Sequence, residues 1–146
     1  MDSVVSQRAL REIYLEPFRL AVKHSKVKAF MTSYNRANGI HCSEDKQLLD
    51  DILRKEWGFE GLVMSDWTGV YSVETSIKAG MDVEMPGPPV MRGAQVNRAM
   101  AGEKLFVEDL DVCVRRVSFP FSSLLPLHSF PSTSESTHAL LKATLT

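Results

Sequence analysis

Two short stretches set reactive residue types at the end of an apolar run: Met31-Thr32-Ser33-Tyr34-Asn35 and Met64-Ser65-Asp66-Trp67. The second places a carboxylate beside an indole. A carboxylate can attack an anomeric carbon or stabilise the positive charge that develops there. An aromatic face gives the apolar side of a sugar ring a surface to lie against. The first stretch adds a phenol, Tyr34, and a soft apolar side chain, Met31. An Asp at the end of a buried strand is also a common cap for the loop or helix that follows. A single Tyr commonly packs into a core with its hydroxyl turned outward. Spacing alone leaves both readings open for Asp66 and for Tyr34.

Other chemistries find less support. His24, His41, His128 and His138 include no pair at metal-site spacing, and Cys42 and Cys113 form no CxxC pattern. Neither a metal site nor a disulfide framework is expected. No Gly-x-Gly-x-x-Gly follows an apolar run, so a dinucleotide cofactor has no support. Lys plus Arg number 17 against 18 Asp plus Glu, without a basic stripe. That balance argues against nucleic acid or an anionic membrane as partner and favours a small neutral molecule. The start Met1-Asp2-Ser3 has no basic and apolar leader, so no signal peptide is expected there. Apolar runs fall far short of the roughly 18 residues of a membrane span.

The elements that must hold the two stretches alternate between helix and strand. Leu10, Ile13, Tyr14, Phe18, Ala21 and Val22 fall at helical spacing across residues 3–24, with a break or restart expected near Pro17. Residues 27–33 suit a buried strand, and Asn38-Gly39 marks a turn in a polar loop over 35–41. Ser43 is a plausible N-cap for a helix carrying Leu48, Leu49, Ile52, Leu53 and Trp57, with Gly58 at its C-terminal end. Residues 61–64 read as a second buried strand that delivers Ser65-Asp66-Trp67, followed by a helix over 71–79. A third strand over 81–85 and helices over about 93–101 and 108–117 complete the ordered part. Short connections between such elements imply parallel strands with crossover helices.

From Ser118 to the end the chain is rich in Ser, Thr and Pro, with Glu135 and Lys142 its acidic and basic side chains. This composition predicts a disordered tail over 118–146; the alternative is sequence from a misread exon or shifted frame, since a barrel-type chain should continue here with another strand.

The blocks Ala9-Leu10-Arg11-Glu12-Ile13-Tyr14-Leu15, Met31-Thr32-Ser33-Tyr34-Asn35, Gly61-Leu62-Val63-Met64-Ser65-Asp66-Trp67 and Ala79-Gly80-Met81-Asp82, with Glu84-Met85-Pro86-Gly87 after the last, stand in one order. In that order and spacing they resemble family 3 glycoside hydrolases, and fungal β-glucosidases most of all. The resemblance covers about residues 2 to 117. It implies a partial (β/α)8 barrel of about three to four βα units over 1–117, since a whole barrel takes roughly 250 residues. It also implies retaining hydrolysis of terminal β-D-glucosyl residues from a small β-glucoside or oligosaccharide, without a metal or organic cofactor. Asp66 matches the family's catalytic nucleophile. Trp67 and Met31 match residues lining the terminal glucose site, and Tyr34 matches a residue that contacts the nucleophile.

The family's Lys-His pair would lie upstream of Met1, and Lys23-His24 does not match it. The acid/base glutamate would come from a second domain. The chain is therefore expected to be incomplete as an enzyme, with a non-catalytic fragment or sugar-binding remnant as the alternative. Family members are often secreted; the compartment of this chain is left open.

Overall fold

The computed structural model describes residues 1–122. Three parallel strands, β2 (Ala29–Met31), β5 (Leu62–Trp67) and β6 (Val83–Met85), form the central sheet in the order β2-β5-β6. Phe30 lies opposite Val63, Met31 opposite Met64, and Met64 opposite Val83. Side chains alternate across a strand, so Phe30 and Val63 point to one face and Met31, Met64 and Val83 to the other. Beyond Met64 the β5–β6 register shifts, and Trp67 comes opposite Met85.

The first face is covered. Val63 is fully buried with Leu49, Leu53, Phe59, Val70, Ala79 and Met81, and Phe30 packs on this cluster. Leu49 and Leu53 come from the helix Gln47–Glu56, whose wide π-type turns show in the Trp57 N–H bond to the Ile52 carbonyl. Its end is set by Gly58, at φ +70, the left-handed conformation that glycine adopts without strain. A second cluster joins α3 (Glu74–Ala79), α4 (Ala94–Ala101) and α5 (Val107–Ser122) through Val73, Ile77, Ala99, Leu105 and Cys113. On the opposite face Leu62, Met64, Val83 and Met85 remain half-buried and Met31 exposed.

The amino-terminal part holds α1 (Gln7–Ala9), a π-helical stretch Leu10–Tyr14 and α2 (Glu16–Ser25). The break falls at Leu15, and Pro17 sits in the first turn of α2, where its missing N–H costs nothing. A small second sheet pairs β1 (Asp2–Ser3) in parallel with β3 (Arg36–Ala37), which pairs antiparallel with β4 (Ile40–His41).

Several expectations need correction. The polar loop over 35–41 folds into the β3–β4 hairpin around Asn38-Gly39. Ser43 is not the cap: Asp45 accepts the Leu48 N–H at 3.2 Å, while the Ser43 hydroxyl is buried. Strand β5 continues through Trp67, so Asp66 is within the strand. The α3 helix begins at Glu74, three residues after Tyr71. Helix α5 does not stop at Val117: Ser118 donates its hydroxyl to the Val114 carbonyl, and the helix runs on to Ser122. The rest of the expected tail, 123–146, lies outside the described residues.

Candidate active site

Parallel pairing brings the carboxyl ends of β2 and β5 side by side. The Thr32 N–H donates to the Met64 carbonyl at 2.8 Å. This bond sets the segment carrying Tyr34 beside the strand end carrying Asp66. Asp66 is half-buried; Trp67, Tyr34 and Met31 are exposed. The polar and aromatic groups therefore stand at the open rim while the strands beneath them are anchored in the core.

Local backbone geometry presents Asp66. Its Oδ1 accepts the Trp67 N–H at 2.7 Å, and its carbonyl accepts the Gly69 N–H at 3.0 Å. Thr68 closes this turn at φ +56, a conformation uncommon for a residue with a Cβ. The Thr68 N–H then bonds the Met85 carbonyl at 2.7 Å, which ties the turn to β6. Ser65 adds a second tie, its Oγ accepting the Met85 N–H at 2.9 Å.

Tyr34 and Asp66 meet through their side chains. Partial loss of water raises the Tyr34 hydroxyl above its ordinary value of 10, and its hydrogen bond to Asp66 and the nearby negative charge push it further up. The phenol thus stays protonated beside the carboxylate. The pair sets a carboxylate beside a phenol at the open rim, the placement a nucleophile needs.

Three residues that the sequence left unassigned complete the surroundings. His41 and Tyr71 stack with ring centroids 3.7 Å apart and planes inclined by 21°. The Tyr71 hydroxyl donates to the Tyr34 carbonyl at 3.2 Å, and His41 Nδ1 lies 3.3 Å from the same oxygen. Arg36 Nε donates to His41 Nε2 at 3.0 Å. Asn-Gly between two short runs is a hairpin signal. Read as one, it would have paired Arg36 with His41, but nothing local pointed to Tyr71.

Glu84 was also unassigned. Its carboxylate accepts the N–H groups of Val90, Met91 and Arg92 at 2.9, 2.9 and 2.7 Å, pinning the loop that leaves β6 beside Trp67. A cavity of about 400 Å³ opens elsewhere, lined by Leu10, Phe18, Phe30, Met31 and Ile52 among others. It contains none of Tyr34, Asp66 and Trp67, so Met31 borders both places. Among the described residues no group of His, Cys, Asp and Glu could hold a metal ion. No helix among them is long and apolar enough to cross a membrane.

The model of the glycosyl hydrolase family 3 N-terminal domain matches residues 2–118. The chain belongs to glycosyl hydrolase family 3. Probable β-glucosidase J of Emericella nidulans is 54% identical over 117 residues, which are 80% of this chain and 14% of that protein. The β-glucosidase of Kluyveromyces marxianus is 53% identical over 118 residues, again 14% of its length. The crystal structure of that enzyme in complex with glucose superposes with a TM-score of 0.77 at 43% identity, covering 98% of this chain and 19% of that one. β-Glucosidase 3B of Thermotoga neapolitana in complex with α-D-glucose gives 0.80 at 37% identity, covering 99% and 22%. This family 3 chain therefore spans a small part of each relative's length. In its described part, Tyr34, Asp66 and Trp67 share one rim, with Met31 at the neighbouring strand end.

Proposed function

We propose that this chain is the nucleophile-bearing sector of a family 3 β-glucosidase, acting on terminal β-D-glucosyl residues with retention. The observation that carries the reading is Asp66 at the carboxyl end of the central strand, beside Tyr34 and flanked by an exposed Trp67. In a parallel α/β sheet, this end is where ligands bind. The half-buried second face of the sheet supports a place in a larger (β/α)8 barrel, because all-parallel sheets are covered on both faces.

In the first step the free Asp66 oxygen attacks the anomeric carbon as the glycosidic C–O bond breaks. The aglycone departs with a proton from a general acid. Water then attacks the same carbon, gives up a proton to the conjugate base, and releases Asp66 and glucose with the β configuration. Tyr34 aims the carboxylate, and Trp67 and Met31 offer apolar surface to the sugar. The acid must stand about 5 to 5.5 Å from Asp66, and family resemblance puts it on a second domain.

A chimaera tests this reading. Residues 2–118 replace their counterpart in a full-length family 3 β-glucosidase, with and without Asp66→Ala. The expected result is activity in the first chimaera and its loss in the second. Azide should then restore turnover and give the α-glucosyl azide. Full activity in the Asp66→Ala chimaera would refute the assignment.

A further inference from the structure

Tyr34 sits beyond the end of β2, on a segment without regular structure, with about half its surface exposed (47%). A residue so placed is free to wander, yet its hydroxyl has to meet one carboxylate. Side-chain and backbone freedom must be removed by specific contacts, because burial does not remove it here. The contacts converge on a single atom, the Tyr34 carbonyl oxygen. Tyr71 Oη donates to it at 3.2 Å, and His41 Nδ1 lies 3.3 Å away.

The second of these is a hydrogen bond when the imidazole proton is on Nδ1. Arg36 selects that tautomer. A guanidinium is always a donor, so its Nε bond to His41 Nε2 at 3.0 Å requires a lone pair there. The proton of the neutral ring is left on Nδ1, facing Tyr34. The 3.7 Å stack then keeps the imidazole and phenol donors together over one acceptor.

The topology makes this more than cover for a hairpin. Asp66 lies near the end of β5, and Tyr71 lies on the segment that follows it. Strand and following segment therefore meet Tyr34 at both ends, Tyr71 at its carbonyl and Asp66 beside its hydroxyl. His41 and Arg36 bring in β4 and β3 as outside support. We propose that the stacked His41–Tyr71 pair, with Arg36 fixing the tautomer, is a positioning device that holds Tyr34 in register with Asp66. The catalytic importance of this device rests on the reading of Asp66 as nucleophile. The mechanical coupling itself does not.

Tyrosine labelled at ¹³Cζ reports the coupling directly in residues 1–146, with the Tyr34 resonance assigned by Tyr34→Phe. In the parent chain Asp66→Asn should lower the alkaline midpoint of Tyr34, because the charge and the accepting carboxylate that raise it are gone. In a His41→Phe, Tyr71→Phe background, which keeps two stacked rings and removes both donors, the same change should lose most of that shift. Tyr71→Phe alone, the milder variant, should lose part of it and serves if the double variant does not fold. An Asp66→Asn shift of undiminished size in the Tyr71→Phe background would overturn the proposal. So would the absence of any shift in the parent. No sugar turnover enters the measurement, so the glucosidase reading can fail while the brace stands, and the reverse.

Discussion

Arg54→Met should strongly destabilise this chain, although Arg54 touches none of the site residues. Its guanidinium donates to the carbonyls of Gly61 and Gly80 at 3.0 Å each and to Asp82 Oδ2 at 2.7 Å. One side chain thus ties the helix Gln47–Glu56 to the entry of β5 and to the segment leading into β6. The side chains of Arg54 and Asp82 are 7% and 0% exposed. Burial lowers the Arg54 pKa and raises that of Asp82, so desolvation opposes the charge on both partners. A pair of this kind adds little over an apolar packing but costs about 3–5 kcal/mol when one partner is removed, because the other charge stays buried. Methionine keeps the apolar stem and deletes only the charge and its donors. Asp82 would retain the Val63 N–H at 2.8 Å and the more distant Arg116 at 3.4 Å. For a chain of this length the loss corresponds to a fall in melting temperature of roughly 10–20 °C. Thermal unfolding followed by circular dichroism reads it. Lys55→Met is the control, because Lys55 itself is exposed and its bridges to exposed Asp51 and half-buried Asp50 should contribute little. An Arg54→Met melt within about 2 °C of the parent would mean that the buried pair is not what joins helix to sheet.

Three further outcomes are expected. Gly61→Ala should destabilise the chain by at least about 1–3 kcal/mol in urea unfolding, because a Cβ there would sit 2.2 Å from the Lys28 carbonyl oxygen at the start of the β2–β5 pairing. The Asp51 carboxyl is held below its ordinary 3.8 chiefly by the hydrogen bond from Lys55. Its contribution to stability is therefore present above 3.8 and lost as pH falls through the lowered value; carboxyl NMR should find a midpoint under 3.8 that Lys55→Met moves back up. Purified residues 1–146 should hydrolyse an aryl β-glucoside no faster than buffer, since positioned acid catalysis is worth about 10²- to 10⁴-fold and the resemblance puts that acid elsewhere; turnover abolished by Asp66→Ala would contradict this.

The strands that carry the site were legible because parallel buried strands are short continuous apolar runs, and Phe30, Val63 and Met81 gave that signal directly. Gly58 and Gly80 marked helix ends because the left-handed conformation there needs glycine. Asp66 stood out as a carboxylate after such a run, and the ordered blocks decided the family. What the sequence hid was the long-range part. Tyr71 reads as one more aromatic near a helix start, and only the fold brings it to Tyr34, 37 residues away. Asp82 and Glu84 are buried acids two residues apart, on one face of a mostly apolar stretch, and no local pattern marks their roles. Their partners, Arg54 and the 90–92 backbone, come from elements that local spacing does not connect. Ser43 misled because a hydroxyl before two acids looks like a cap, whereas the turn that forms uses the Asp45 carboxylate two residues later.

Trapping the glycosyl-enzyme is the most direct test of Asp66 as nucleophile. A 2-deoxy-2-fluoro-β-glucoside with a good leaving group slows release of the covalent intermediate, because fluorine destabilises the oxocarbenium-like transition state. Applied to the full-length chimaera that carries residues 2–118, then digested and sequenced by mass spectrometry, it marks whichever carboxylate attacked. The account predicts one added fluoroglucosyl group, on the peptide containing Ser65-Asp66-Trp67 and on Asp66 within it. A label on any other carboxylate, with Asp66 unmodified, would contradict it.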